Sequence, residues 1–116
     1  MRHLLLVLLL ATACKKEQPA APPPEDRPAP IPPTELKRGQ DACKAYVEKV
    51  CACTAPDAPK ACALAKALPD AIATGLEVAQ NPESARMDVL QSNDIVRKTM
   101  KECIEQTAKL PALGCN

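Results

Sequence analysis

Cysteine is the residue type with the most reactive chemistry in this chain of 116 residues, which contains seven of them. Zinc sites are usually built from Cys-x-x-Cys pairs and histidine, but no two cysteines have that spacing and the single histidine is His3. The Cys51-Ala52-Cys53 motif could hold a soft metal such as Cu(I) or act as a redox pair, although redox pairs normally have two intervening residues. We therefore predict no metal site and no cofactor, and we expect the cysteines from Cys43 onward to form disulfide bonds.

Side chains for acid–base or nucleophilic catalysis are also scarce. Downstream of residue 13 the only serines are Ser84 and Ser92, and no histidine is present to activate them. Acidic residues lie near Lys or Arg at helical spacing, for example Asp94 and Lys98, as on solvated helix surfaces. The single aromatic residue, Tyr46, cannot form a stacking platform for bases, and a net charge of +1 provides no basic surface. We therefore predict neither an enzyme nor a partner of nucleic acid.

The N-terminal residues have the pattern of a targeting segment. Arg2 and His3 precede an unbroken run of seven apolar residues, numbers 4–10, and small residues follow at 11–13. Seven residues rise only about 10 Å as a helix, whereas the core of a bilayer is about 30 Å thick. We predict that residues 1–13 are a signal peptide rather than a membrane span.

Cys14 stands directly after these small residues. The sequence Ala11-Thr12-Ala13-Cys14 resembles the lipobox of bacterial lipoproteins, in which the cysteine carries acyl chains such as palmitate and becomes the first residue of the mature protein. The resemblance implies lipidation at Cys14, and Lys15-Lys16 in place of Asp implies an outer-membrane destination. Setting Cys14 aside leaves six cysteines, an even number that can pair completely in an exported protein. Ordinary secretory cleavage after Ala11-Thr12-Ala13, an A-x-A site, is the alternative.

A proline-rich stretch follows the lipidation motif. Residues 17–34 contain eight of the thirteen prolines. This density favours polyproline II at about 3.1 Å per residue, so the stretch reaches about 55 Å. We predict that residues 14–34 form a disordered tether, that the folded domain begins at Glu35, and that shortening residues 17–34 leaves folding intact. A PxxP ligand for a partner domain is the alternative.

Residues 35–116 have the periodicity of an all-α domain. Apolar residues at intervals of three and four predict a first helix from Glu35 to Ala52, a second that Pro69 kinks or divides, and a third that ends near Leu110. Asn81-Pro82-Glu83 predicts a cap and a restart between the second helix and the third.

These helices predict a three-helix bundle, stapled by disulfides, in up-down-up order. The third helix has a second place to break, at Ser92-Asn93-Asp94. The residues expected to face inward are Leu36, Cys43, Tyr46, Val47, Val50 and Cys51 in the first helix, Cys62, Ala65, Leu68, Ile72, Leu76 and Ala79 in the second, and Met87, Leu90, Val96, Met100, Cys103 and Ile104 in the third.

Heights along such a bundle predict the disulfide pairing. Cys43 and Cys103 each lie about 10–15 Å below the end at which the first helix stops. A disulfide requires Cα atoms within about 7 Å, so these two deep cysteines pair with each other. The other four lie near that end and form two bridges, either Cys51–Cys62 with Cys53–Cys115 or Cys51–Cys115 with Cys53–Cys62.

Together these features predict a small cell-envelope lipoprotein with a structural or protein-interaction role, held at the membrane by its N-terminal lipid. Its partner would be an envelope protein that the sequence does not identify. The alternative is a periplasmic carrier of a soft metal or of a small apolar ligand.

Overall fold

The computed structural model describes residues 26–116; the predicted signal peptide, Cys14 and residues 15–25 lie outside the described residues. All regular structure in the described part is helical, which confirms the predicted all-α class. No helix there is both long and apolar enough to cross a membrane. The four helices are α1 (Pro33–Ala52), α2 (Ala58–Ala65), α3 (Ala67–Gln80) and α4 (Arg86–Leu113).

α1 begins at Pro33, two residues before the predicted start. Proline suits the first turn of a helix, because its φ is already helical and the N–H that it lacks would have no partner there. Glu35 places a negative charge in the first turn, at the positive end of the helix dipole. The helix ends at Ala52 as expected, and Cys53 is extended with φ −76° and ψ 139°.

The predicted middle helix is divided into α2 and α3, which are separated by the single residue Lys66. Pro69 explains the place of the division, because it has no N–H to donate to the carbonyl group four residues earlier, that of Ala65. α2 ends at Ala65, and Pro69 lies in the first turn of α3, where a missing donor costs little. When α2 and α3 are counted as one interrupted helix, the domain has the three helices that the sequence predicts.

The turn between α3 and α4 differs from the predicted restart at Pro82. Asn81 ends α3, and its side-chain Oδ1 accepts a hydrogen bond of 2.9 Å from the N–H of Glu83. The Ser84 hydroxyl donates to the carbonyl of Val78 over 2.7 Å. Because these bonds stabilise a turn rather than a helix start, α4 begins later, at Arg86.

α4 is continuous, so the expected break at Ser92-Asn93-Asp94 does not occur. Asn93 directs its amide away from its own helix and donates to the carbonyl of Ala29 over 3.3 Å. The helix also extends three residues past the predicted end at Leu110. Gly114 ends it with φ 89°, a left-handed conformation that glycine adopts without steric cost.

Two clusters of buried side chains form the core. The first cluster joins α1, α3 and α4, and the second joins α1, α2 and the last turns of α4. The first consists of Ile31, Cys43, Ile72, Val96, Met100 and Cys103; the second consists of Tyr46, Val50, Ala58, Ala65, Leu110 and Cys115.

α1 and α4 lie side by side and run in the same direction. Gly39 meets Met100 so closely that a Cβ atom at Gly39 would overlap its side chain. One turn further along, Cys43 is bonded to Cys103. Absence of a side chain at Gly39 therefore allows the two helices to approach.

α4 buries only part of the face that was predicted: Val96, Met100 and Cys103 are buried, as expected. Met87, Leu90 and Ile104, which were expected to face inward, are exposed by 69%, 39% and 50%. The buried face instead includes Val89 at 2% and the polar residues Ser92, Asn93 and Thr99. These three polar residues interrupt the apolar pattern on the buried face, and for that reason the periodicity identified that face only in part. In α1 the same correction applies to Cys51, which is exposed.

Residues 26–34 belong to the folded domain, so the predicted boundary at Glu35 is wrong. Ile31 is only 6% exposed and lies in the first cluster. Asn93 binds the carbonyl of Ala29, and Arg86 donates to the carbonyl of Asp26 over 2.8 Å. Ile31 is the one buried side chain of this proline-rich segment, and the composition of the segment gave no sign that the core includes it.

Arg27 holds the beginning of this segment against the end of α3. Its guanidinium donates to the carbonyls of Ala79 at 3.0 Å, Asn81 at 2.7 Å and Pro82 at 3.3 Å. The last carbonyls of a helix have no partner within the helix and carry its negative dipole. Arg27 therefore caps α3 with a side chain that lies more than fifty residues earlier in the chain.

Candidate functional site

All six cysteines of the described residues form disulfide bonds. Cys43 is joined to Cys103, the pair that the heights along the helices favour, with Cα atoms 4.8 Å apart. For the other four, the structure has the first of the two arrangements considered. Their Cα separations are 4.7 Å for Cys51–Cys62 and 5.5 Å for Cys53–Cys115.

The three disulfides differ in burial. Cys43 and Cys103 are 1% and 0% exposed and lie inside the first cluster. Cys115 is 4% exposed and its partner Cys53 is half-buried. In the third disulfide Cys51 is exposed and Cys62 is half-buried. Solvent therefore reaches the Cys51–Cys62 disulfide most readily.

This pairing bears directly on the metal and redox interpretations of Cys51-Ala52-Cys53. Cys51 and Cys53 belong to different disulfides, so they do not form a redox pair with each other. A disulfide also offers no thiolate to a soft metal. Within residues 26–116, no group of three His, Cys, Asp or Glu side chains is placed to hold a metal ion.

An apolar groove of about 450 Å³ lies between α1 and α3. Cys43 and Ile72 are both buried and form its floor, and Val47, Pro69 and Ala73 form its apolar walls. Polar side chains of α1 surround the opening, namely Gln40, Lys44 and Glu48. A site of this size and lining is typical of those that bind small apolar molecules or apolar side chains of a partner.

The groove exists because α1 and α3 each pack chiefly on other helices. α1 packs against α4 and α2, whereas α3 packs mainly against α4. The residues of α3 that face α1 beside the groove are short, since Pro69 and Ala73 offer only a ring and a methyl group. The groove was not predicted from the sequence. Pro69, Ile72 and Ala73 share one face of a helix, but their spacing does not show that α1 leaves a gap opposite that face.

Charged residues form ion pairs on the exposed surface rather than a cluster. Asp94 pairs with Lys98 over 2.7 Å, as the helical spacing suggests. Glu105 pairs with Lys101 over 3.6 Å, also at a spacing of four residues. Exposed pairs at this spacing stabilise a helix by only about 0.3–0.5 kcal/mol.

Tyr46, the only tyrosine of the chain, is 6% exposed in the second cluster. Burial raises the pKa of its hydroxyl above 10.0, and the negative charge of Glu102 raises it further. A raised pKa means that the folded protein retains the phenolic proton at a pH where the unfolded chain has lost it. The stability that protonated Tyr46 contributes to the folded state is therefore complete below pH 10, and it is lost as pH rises through the pKa of the folded state.

Spectroscopic titration can measure this shift directly, because the chain has one Tyr and no Trp. We expect the tyrosinate absorbance near 295 nm to develop at a higher pH in the folded protein than in denaturant. Glu102→Gln should move the midpoint of the folded protein part of the way back. Identical midpoints in folded and denatured samples would contradict the burial of the Tyr46 hydroxyl.

Comparison with known proteins adds no relative to this description. No family model, no curated protein and no solved structure matches the chain. The residues, the disulfides and the groove are therefore the features that bear on function.

Proposed function

We propose that the protein is a lipid-anchored component of the bacterial cell envelope, whose helical domain acts by binding another envelope protein. The observation that carries the proposal is the division of the seven cysteines. Six of them lie in three disulfides of the domain. The seventh, Cys14, follows the apolar segment in a sequence that resembles a lipobox, where the cysteine is the acylated residue.

The surface charges, the groove and the disulfides of the domain are consistent with a role in protein interaction. The titratable side chains lie mostly on the surface, where several form ion pairs. The groove between α1 and α3 provides the apolar surface on which interfaces usually depend. Disulfides are also typical of proteins in an oxidising compartment such as the periplasm.

Mass spectrometry of the protein from bacterial membranes tests the lipid anchor. We expect a chain that begins at Cys14, with an added mass equal to a diacylglyceryl group and an amide-linked acyl chain. Cys14→Ala should abolish the added mass and move the protein from the membrane fraction to the soluble fraction. Lys15→Ala is the matched control and should keep both. A mature chain with unmodified Cys14 would contradict the proposal.

The groove also favours a second function, the binding of a small apolar ligand. Its volume of about 450 Å³ and its floor of Cys43 and Ile72 suit an alkyl chain or a small ring system. Lys44 at the opening could pair with an acidic head group. The soft-metal form of this alternative has no support, because the described cysteines are disulfide-bonded.

A fluorescent probe distinguishes this second function. We expect N-phenyl-1-naphthylamine to bind the full domain and to be displaced by a fatty acid. Ala73→Phe fills the groove from an exposed position, and binding should weaken at least about tenfold through loss of the apolar contact area. Thr74→Phe adds the same side chain at the next position of α3, outside the groove, and should bind as the original chain does. Equal binding by both variants would exclude the groove.

A further inference from the structure

The exposure of the Cys51–Cys62 disulfide has a chemical consequence. Thiol–disulfide exchange begins when a thiolate attacks one sulfur in line with the S–S bond, so its rate depends on access to that sulfur. Cys51 is the exposed cysteine of the described residues. Cys43 and Cys103 are enclosed by the first cluster, and Cys115 is buried in the second. Attack at Cys51 therefore requires the least opening of the structure.

The helix that this disulfide joins to α1 is short, and only small side chains of it are buried. α2 has eight residues and no side-chain hydrogen bond at its N-terminus. A helix this short has little stability of its own in water. Its buried residues, Ala58 and Ala65, are both small. The Cys51–Cys62 bond is the covalent link between α2 and α1, and it adds to the contacts of these small side chains with Tyr46 and Val50.

We propose that Cys51–Cys62 is a site of reversible thiol–disulfide exchange, opened by a dithiol reductant while Cys43–Cys103 and Cys53–Cys115 remain closed. This modification frees α2 and leaves the packing of α1, α3 and α4 intact. It extends the function proposed above but does not depend on it, since neither the lipid anchor nor the groove takes part.

The exchange with a dithiol takes place in two steps. A thiolate of the reductant attacks Sγ of Cys51, forms a mixed disulfide and displaces Cys62 as a thiolate, which takes up a proton. The second thiol of the reductant then attacks the mixed disulfide as a thiolate and releases Cys51. The reductant leaves as a disulfide, so two electrons and two protons have passed to Cys51 and Cys62.

Opening this bond changes the surface of the domain. Ala58 and Ala65 pack in the same cluster as Tyr46, Val50 and Leu110. When α2 moves away, the apolar side chains on α1 and α4 lose that cover. Reduction therefore creates an apolar surface at the end of the domain where α1 stops.

Partial reduction of the full chain tests the proposal. Folded protein is treated with dithiothreitol, quenched at intervals with N-ethylmaleimide and digested with trypsin. Cleavage after Lys60 and Lys66 separates the peptide of Cys62, and cleavage after Lys101 and Lys109 separates those of Cys103 and Cys115. We expect Cys62 to be alkylated at least about tenfold faster than Cys103 and Cys115, because exchange follows access. Equal rates for the three peptides would overturn the proposal.

A hydrogen-exchange measurement on the partly reduced protein tests the structural consequence. Amides of α2 should lose protection when Cys51 and Cys62 are alkylated, while amides of α3 and of the middle of α4 keep theirs. Cys51→Ala/Cys62→Ala provides the same state without a reductant and should reproduce this pattern. Loss of protection throughout the domain in both samples would show that the disulfide is part of the global fold and would overturn the proposal.

Discussion

A chain that begins at Glu35 is expected to unfold at a temperature about 10–40 °C lower than a chain that begins at Asp26. The main reason is the loss of Ile31, which is 6% exposed in the first cluster. Removing a buried Ile side chain typically costs about 2–5 kcal/mol, and each kcal/mol lowers the melting temperature of a domain this size by about 4–8 °C. The shorter chain also loses the bonds of Arg27 to the end of α3.

Thermal unfolding of both chains, followed by circular dichroism, measures this difference. Ile31→Ala in the full chain should account for most of the loss, whereas Pro30→Ala at the exposed neighbouring position should change the melting temperature little. Arg27→Ala should have an intermediate effect. Equal melting temperatures for the chains that begin at Glu35 and Asp26 would show that residues 26–34 are a tether after all.

The second large effect is expected from the Cys43–Cys103 disulfide. It closes a loop with a sequence separation of 60, whereas Cys51–Cys62 closes one of 11. In the chain-entropy description, bridges of these lengths stabilise by about 4 and about 3 kcal/mol. Cys43→Ala/Cys103→Ala also leaves a cavity in the first cluster, which adds to its cost.

Urea unfolding of the two double variants compares these costs. We expect Cys43→Ala/Cys103→Ala to lose at least about 1 kcal/mol more of the unfolding free energy than Cys51→Ala/Cys62→Ala, since the loop and cavity effects have the same sign. The m-values must be compared as well, because an unfolded chain without its long loop is more extended. A greater loss for Cys51→Ala/Cys62→Ala would mean that α2 contributes more to the fold than its packing indicates.

The helical class and the use of disulfides could be predicted because each follows from a strong signal. The alanine-rich sequence with few glycines specifies helices, and six cysteines in a small domain with a predicted signal peptide specify disulfides. The pairing of Cys43 with Cys103 followed from the rise per residue together with the predicted up-down-up order of the helices. That argument could not separate the two arrangements near the end of the bundle, because all four cysteines there are close together.

Other features depend on tertiary contacts that periodicity does not record. The buried face of α4 contains Ser92, Asn93 and Thr99, which the chain tolerates because each has a short side chain and two of them bind backbone carbonyls. Ile31 is a single apolar residue among prolines, and no pattern surrounds it. The groove is a space between α1 and α3 that their side chains do not fill, and a sequence gives no direct signal for such a space.

The contacts of Arg27 and Asp26 also determine the end of the domain at which the described chain begins. They bring the start of the described chain to the junction of α3 and α4. α4 has 28 residues and is therefore about 40 Å long, so the Cys53–Cys115 bridge lies at the opposite pole of the domain. In the proposed protein anchored through Cys14, the anchored end of the chain enters the domain at the pole of the Arg27 cap, and the opposite pole carries α2 and its exposed disulfide. A partner that binds at this opposite pole would therefore contact α2 and Cys51.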